Sequence, residues 1–251
     1  MQTYNRVEHP VLDVFIDGTA VETRPSSFTL ITDAGFPSVV AHLQFPVDAE
    51  IGEPGALVTV SLSIDGECHK LFTGEVYLSG ARGSCRSLSL TDGYKKLCDT
   101  SIAAAYRKEM ARIILQDTLE CAGLNDTDIT CPAVEIARFS TEKISADKII
   151  THLIKTLEEH GHHGLRFFFD EKNIFRFGTP EDSGKNEGPD FSFETGKNIL
   201  QTKDNLIEIL PQPIRHSQKI TVNGKKLMSA RTELYLSGKH SRMTLWLKEA
   251  L

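Results

Sequence analysis

A chain of 251 residues can bury roughly 70 to 75% of the surface that its unfolded form exposes, so its core needs no disulfide or metal. The net charge of -6, with lysine and arginine spread along the chain, argues against stable nucleic-acid binding, although an acidic lining past which DNA slides is still allowed. Five scattered cysteines (Cys68, Cys85, Cys98, Cys121 and Cys131) predict reduced thiols, and a polar start without a signal peptide or membrane span predicts a product of the cytoplasm.

The first part of the chain, residues 11–97, has the pattern of short strands separated by tight turns. Val58, Val60, Leu62 and Ile64 alternate with polar residues, which is typical of a strand with one buried face. Residues 39–45 show the same alternation, and Asp17-Gly18 and Asp65-Gly66 favour hairpin turns. So many strands in so short a segment predict a sandwich or a barrel.

The middle of the chain changes to a helical period. Apolar residues recur on one helical face in residues 111–122 and again in 149–157, with Ser145 as the expected N-cap of the second helix and Gly123 and Gly161 past the helix ends. Residues 165–170 and 174–178 then predict a hairpin around Glu171-Lys172-Asn173.

Residues 178–190 predict a linker, because all of them are polar, glycine or proline. Beyond it, short strands are expected at 191–194, 206–210, 218–222, 233–236 and 243–247, with a turn at Asn223-Gly224. This last region, including residues 196–200, 213–224 and 240–247, contains no recognisable catalytic motif. The predicted fold class is α+β, mainly β, with two β regions flanking an α/β insert that holds two amphipathic helices and a hairpin.

A cluster of histidines, His160, His162 and His163, is the densest set of potential metal ligands. It lies at the predicted end of a helix, where histidine complements the negative end of the dipole, and no cysteine or acidic pair is close in sequence. A solvated helix end is therefore the preferred interpretation, with a metal or pH-sensitive contact left open.

Paired carboxylates for glycoside hydrolysis could come from Asp147, Glu158, Glu159, Asp170 and Glu171, but spacing alone does not establish such a pair. Cys68-His69 resembles a thiol-imidazole pair, yet neighbouring strand residues point to opposite faces. The segment Gly80-Ala81-Arg82-Gly83 is interpreted as a hairpin turn, not as a phosphate loop. No catalytic, cofactor-binding or metal-binding residue is assigned, and no enzymatic activity or cofactor is expected.

Several motifs, taken in order, resemble the hub family of contractile-tail baseplates, which includes the late-control D proteins of tailed phages and the N-terminal half of VgrG spike proteins. Each motif is weak alone, and the specificity lies in their order and spacing. They are Phe72-Thr73-Gly74-Glu75-Val76, then Leu88-Ser89-Leu90-Thr91-Asp92-Gly93-Tyr94-Lys95-Lys96-Leu97, a helix over 108–122 before Gly123-Leu124, a second helix over 147–160, the hairpin 166–178, and the opening stretch of the last β region.

The resemblance implies a tail-tube-like β-barrel at 1–98, an α/β domain at 99–182 and a second such barrel at 183–251. It also implies a homotrimer whose six barrels form a pseudo-sixfold ring, which adapts a hexameric tail tube to a trimeric spike. The tube protein, the central spike and other baseplate proteins are the implied partners, in a virion tail assembled in the host cytoplasm. DNA would pass through the channel without stable binding, and no membrane insertion is implied.

Two alternatives from other classes stay open. A tail-associated cell-wall-degrading enzyme would need two carboxylates that face each other across the scissile bond. The sequence contains no two acidic residues whose spacing establishes such a pair. A cytosolic carbohydrate- or peptide-binding β-protein would favour an aromatic stripe on an exposed strand, which the sequence also lacks.

Overall fold

The computed structural model describes residues 10–49, 51–179, 191–238 and 240–249. The chain folds as two compact units, one formed by Met1–Asp92 with Asn186–Leu251, which we call the β unit, and one formed by Gly93–Lys185, which we call the insert unit. No helix in the described ranges has the length and apolarity needed to cross a membrane.

Strands dominate the described chain, which confirms the predicted α+β, mainly β class. In chain order the elements are β1 (Val11–Ile16), β2 (Thr19–Ala20), β3 (Ser27–Asp33), β4 (Phe36–Pro46), β5 (Leu57–Ile64), β6 (Glu67–Arg82), β7 (Cys85–Thr91), α1 (Tyr94–Asp99), β8 (Ser101–Met110), α2 (Ala111–Cys121), β9 (Thr127–Ile129), β10 (Glu135–Ser145), α3 (Ala146–Glu159), β11 (Arg166–Phe169), β12 (Phe175–Gly178), β13 (Phe191–Phe193), β14 (Ile199–Lys203), β15 (Leu206–Ile209), β16 (Lys219–Val222), β17 (Lys225–Ser237) and β18 (Arg242–Glu249).

One sheet runs through the whole β unit in the order β14-β15-β18-β17-β3-β4-β7-β6-β5-β1-β2, with β16 attached to β17 and β13 to β16. All its strand pairs are antiparallel except β13 with β16. The first and last β regions are joined where β17 pairs with β3, with Thr232 opposite Thr32. The two regions therefore belong to one compact unit, and the interpretation of each as a separate barrel, with limits 1–98 and 183–251, stays a prediction.

Tight turns close three hairpins of the β unit where the sequence predicts them. Asp17-Gly18, Asp65-Gly66 and Asn223-Gly224 all have both residues at positive φ, the backbone that two-residue hairpin loops require. The predicted turn at 80–83 lies slightly later, since Arg82 pairs with Cys85 and the turn is formed by Gly83 and Ser84.

The core of the β unit follows the alternation predicted for β5, whose residues Val58, Val60, Leu62 and Ile64 are buried. Long strand β6 bends within this core, pairing with β5 up to Glu75 and with β7 from Glu75 onward. Gly74 lies at the bend, where a Cβ atom would be 2.2 Å from the carbonyl oxygen of Thr91. This close approach explains why the motif 72–76 contains glycine.

Asp92, at the end of the second motif, is buried and accepts a hydrogen bond from the Val39 backbone N–H at 2.8 Å. Its carboxylate thereby satisfies a donor of β4 where β7 no longer pairs with that strand. The aspartate of this motif has a structural role within the β unit.

The insert unit packs α1, α2 and α3 against a two-stranded sheet, β8 with β10, and a three-stranded sheet in the order β11-β12-β9. The predicted hairpin around residues 171–173 is confirmed, with Phe169 opposite Phe175, and Phe167 and Phe169 are buried whereas Arg166 and Phe168 are half-buried. Helix α3 begins after Ser145 and ends before Gly161, which has a positive φ, as predicted.

The prediction of a helix from Lys108 was wrong, because α2 begins at Ala111 and Lys108 belongs to β8. Helix α1 and strands β8, β9, β10 and β14 were not predicted. The limits 99–182 of the α/β domain stay a prediction. Of the predicted linker, Gly178 belongs to β12, and residues 180–190 lie outside the described residues.

Candidate functional site

The histidine cluster lies at the end of α3, as predicted. His160 donates from Nδ1 to the carbonyl oxygen of Thr156 at 2.8 Å, so the ring covers one of the last helix carbonyls. Within the described ranges, no group of three or more His, Cys, Asp and Glu side chains could hold a metal ion.

Two of the five carboxylates considered for hydrolysis, Asp147 and Asp170, form hydrogen bonds in local structure. Asp170 accepts the backbone N–H groups of Lys172 and Ile174, each at 2.9 Å, and pairs with Arg176 at 2.7 Å. Asp147 accepts a hydrogen bond from the Tyr94 hydroxyl at 3.2 Å. These bonds hold the β11–β12 turn and link α1 to α3, so both carboxylates have structural partners.

The Cys68-His69 pair is separated as expected from strand geometry. Cys68 lies opposite Ser63 and is exposed, while His69 lies opposite buried Leu62, so the two side chains point to opposite faces. All five cysteines are free thiols in the structure, and the reduced state stays a prediction. Burial raises the pKa of the Cys131 thiol to about 11, so that thiol is protonated at neutral pH.

A buried polar network joins the first and last β regions, and the sequence did not predict it. The hydroxyls of Thr32 and Thr232 are 2.9 Å apart although the residues are 200 positions apart in sequence. Thr32 Oγ1 also accepts the backbone N–H of His216 at 2.9 Å, and the Ser229 hydroxyl donates to the carbonyl of Arg215 at 2.6 Å. We call Thr32, Thr232, Ser229 and residues 215–217 the polar joint; their hydrogen bonds hold the segment before β16 against β3 and β17.

One signal for the joint is present in the sequence. Phe28, Leu30 and Thr32 alternate along β3, which places a threonine on the buried face, and Thr232 continues the buried positions Leu234 and Leu236 in the same way. A threonine at a core-facing position needs a hydrogen-bond partner, but the sequence does not show which distant residue supplies it.

The joint contains a histidine and a serine in hydrogen-bond contact. His216 Nδ1 is 2.8 Å from Ser217 Oγ, a distance typical of a nucleophile and its base. However, the two residues are only 7% and 4% exposed. A substrate cannot reach the serine hydroxyl in this arrangement, so the pair serves the joint.

We expect Thr32→Val to lower the free energy of unfolding by about 2 kcal/mol, because it removes the acceptor of the His216 N–H and the partner of the Thr232 hydroxyl. Thr232→Val should cost about 1 kcal/mol, since it removes only the hydroxyl pair. Urea unfolding of both single variants and of the double variant measures the interaction free energy between the two threonine hydroxyls. Strictly additive losses would contradict a direct bond between the hydroxyls.

The main strand order of the β-unit sheet ends in two edge strands, β14 and β2, and its branch through β16 ends in a third, β13. Strand β14 forms one end and pairs only with β15 among the described strands, and Leu200 in it is 56% exposed. Strand β2 forms the other end, where it pairs only with β1 in the same part of the chain. Such edges present unpaired backbone groups that can pair with another chain.

The face of the sheet turned away from the core carries both signs of charge. Arg231 lies over the Trp246 ring, 5.0 Å from its centroid, and within 3.8 Å of Glu233. Arg242 is 3.9 Å from Glu208 on β15. Acidic and basic side chains pair at these positions, and an acidic channel lining stays a prediction.

Comparison with known proteins shows similarity at the level of structure. No protein-family model and no curated protein sequence matches the chain. A 43 kDa tail protein of prophage MuSo2 from Shewanella oneidensis superposes with a TM-score of 0.73 and 10% identity, covering 96% of this chain and 98% of that one. A tail protein from Neisseria meningitidis MC58 superposes with a TM-score of 0.71 and 12% identity, covering 96% of each chain.

Secretion-system proteins share the same architecture. An Escherichia coli component of the type VI secretion system, itself described as similar to the phage T4 tail proteins gp27 and gp5, superposes with a TM-score of 0.67 and 10% identity over 95% of this chain and 77% of that one. At these identities the similarity shows a common fold. The resemblance inferred from the ordered motifs is thus confirmed for the fold.

Proposed function

Because the chain has the fold of phage tail proteins over nearly its whole length, we propose that it is the structural hub of the contractile-tail baseplate of a phage or phage-like particle. The observation that carries this proposal is the coverage: 96% of this chain superposes on 98% of the prophage tail protein. The hub belongs to the virion tail and is assembled in the host cytoplasm.

Three copies form a ring in this proposal. Each chain contributes two β regions, so three chains present six, which suits a sixfold tail tube on one side and a threefold spike on the other. The edge strands β14 and β2, at the two ends of the main strand order, support head-to-tail contacts, because a contact between different surfaces closes into a ring when the rotation between copies allows it. The tube protein, the central spike and other baseplate proteins are the partners.

The role is structural rather than enzymatic. The carboxylates Asp147 and Asp170 are used in local hydrogen bonds, and the His216–Ser217 pair is buried, so none of these groups supports catalysis. DNA passes through the central channel without stable binding, consistent with a net charge of -6.

The test is the mass and shape of the purified protein. Light scattering should give three times the chain mass of 27.9 kDa, and negative-stain images should show rings with a central hole. Leu200→Asp, on the exposed edge strand β14, should convert the trimer to a folded monomer because a charge in a paired edge is desolvated.

Val47→Asp provides the matched control, since Val47 is 48% exposed in the turn after β4 and not in an edge strand. It should leave the trimer intact. A wild-type protein that is monomeric at micromolar concentration, even with its spike partner present, would overturn the proposal.

A further inference from the structure

Two arginines lie directly opposite each other on the exposed face of the two-stranded sheet of the insert unit. Arg107 of β8 is in register with Arg138 of β10, and both side chains are exposed. Side chains at such positions have Cβ atoms about 5 Å apart, and like charges there repel. Among the described residues neither guanidinium forms an ion pair or a hydrogen bond.

Acidic side chains at neighbouring positions of the two strands form no ion pair with these arginines in the described structure. Glu109, two residues after Arg107, accepts the backbone N–H of Met110 at 2.9 Å. Glu135 lies opposite Met110 and forms no ion pair in the described structure. The two positive charges are therefore held together without a compensating anion from this unit.

Exposed apolar side chains occur at the same end of the sheet. Among the described residues of the insert unit, the large apolar side chains that are exposed are Met110, at 37%, and Ile113, at 40%. Met110 is three residues beyond Arg107, and Ile113 lies in the first turn of α2. Arginine and methionine are enriched in protein interfaces, where apolar residues form the centre and charged pairs the rim.

The backbone at this place is also unusual. Lys108, between Arg107 and Glu109, has φ of 51°, the left-handed region that a lysine rarely adopts. This conformation lies between Arg107 and Met110 in the chain, at the same end of β8.

We propose that Arg107, Arg138, Met110 and Ile113 form a docking surface for an acidic segment of a partner protein. Two carboxylates of the segment pair with the two guanidiniums, and an apolar side chain packs on Met110 and Ile113. The exposed apolar residues favour a polypeptide over a nucleic acid, whose phosphates gain nothing from methionine and isoleucine. This surface goes beyond the hub role, and its test does not depend on the oligomeric state.

The unpaired arginines make a distinctive prediction for the free protein. Arg138→Glu replaces a repulsion by a cross-strand ion pair with Arg107, so the melting temperature of the full chain should rise by about 2 °C. The double variant Arg107→Glu with Arg138→Glu restores repulsion, and its melting temperature should return to about the wild-type value.

Binding is measured by fluorescence anisotropy with a short labelled peptide of glutamate, leucine and serine. The full chain should bind this peptide, and Arg138→Glu and Met110→Ser should each weaken binding about tenfold. Lys155→Glu, an equal charge change at an exposed position of α3, should leave the affinity unchanged. The same peptide with glutamine in place of glutamate should bind at least tenfold more weakly.

The possible results distinguish an acidic peptide from a nucleic acid as the partner of this surface. Peptide binding that is lost in Arg138→Glu while the protein is more heat-stable supports the proposal. Binding that is equal in Arg138→Glu and Lys155→Glu overturns it, as does no binding of the peptide at all. Tighter binding of a single-stranded oligonucleotide that depends on Arg107 and Arg138 also overturns it, because the occupant would then be a nucleic acid.

Discussion

Replacing Gly74 with alanine should lower the free energy of unfolding by about 3 kcal/mol, the upper part of the range for overpacked cores. The new Cβ would lie 2.2 Å from the carbonyl oxygen of Thr91 and 2.5 Å from Phe72 Cζ. The Thr91 carbonyl belongs to β7, whose backbone is held between β4 and β6, so it cannot move aside cheaply. Urea unfolding followed by circular dichroism measures the loss.

Gly80→Ala is the matched control for this variant. Gly80 lies in the same strand, but a Cβ there has no atom within 4 Å. Alanine at Gly80 should be neutral or slightly stabilising, because it reduces the freedom of the unfolded chain without a clash. Equal losses for the two variants would show that strand propensity, not the close approach at Gly74, determines the effect.

The second large effect is expected at Gly93, in the insert unit. A Cβ there would lie 2.3 Å from Cε1 of Phe169, which is fully buried. The φ of Gly93 is -61°, which alanine adopts easily, so Gly93→Ala tests the clash alone. We expect a loss of about 2 to 3 kcal/mol in the free energy of unfolding.

A smaller side chain at Phe169 should relieve this clash. Phe169→Leu alone leaves space in the core and should cost about 1 to 2 kcal/mol. Combined with Gly93→Ala, the total loss should be smaller than the sum of the two single losses. A total equal to that sum, measured by the same unfolding experiment, would contradict direct contact between the two residues.

Local signals in the sequence predicted a large part of the fold. The three aspartate- or asparagine-glycine turns were correct because two-residue hairpin loops need positive φ at both positions. Helix α3 and the β11–β12 hairpin were correct because their apolar periods are unambiguous. The ordered motifs also led to the tail-protein fold that the structural comparison shows.

Long-range pairing explains what was missed. Residues 106–110 (Tyr-Arg-Lys-Glu-Met) contain several good helix formers, and the family resemblance placed the start of the helix at Lys108. In the structure they belong to β8, because Ser101–Met110 pairs with Glu135–Ser145. A single sequence does not reveal that partner, so tertiary pairing overrode local propensity. The polar joint was missed for the same reason.

The pairing of β17 with β3 has a consequence for how the chain folds during synthesis. The contact between Thr32 and Thr232 spans 200 residues, and such contacts form late because a long loop must close first. The edge of β3 that pairs with β17 therefore stays unpaired until the ribosome has synthesised β17. Nascent chains that stop before β17 should expose this side and depend on chaperones, so the aggregation risk of this protein lies in its unfinished chains.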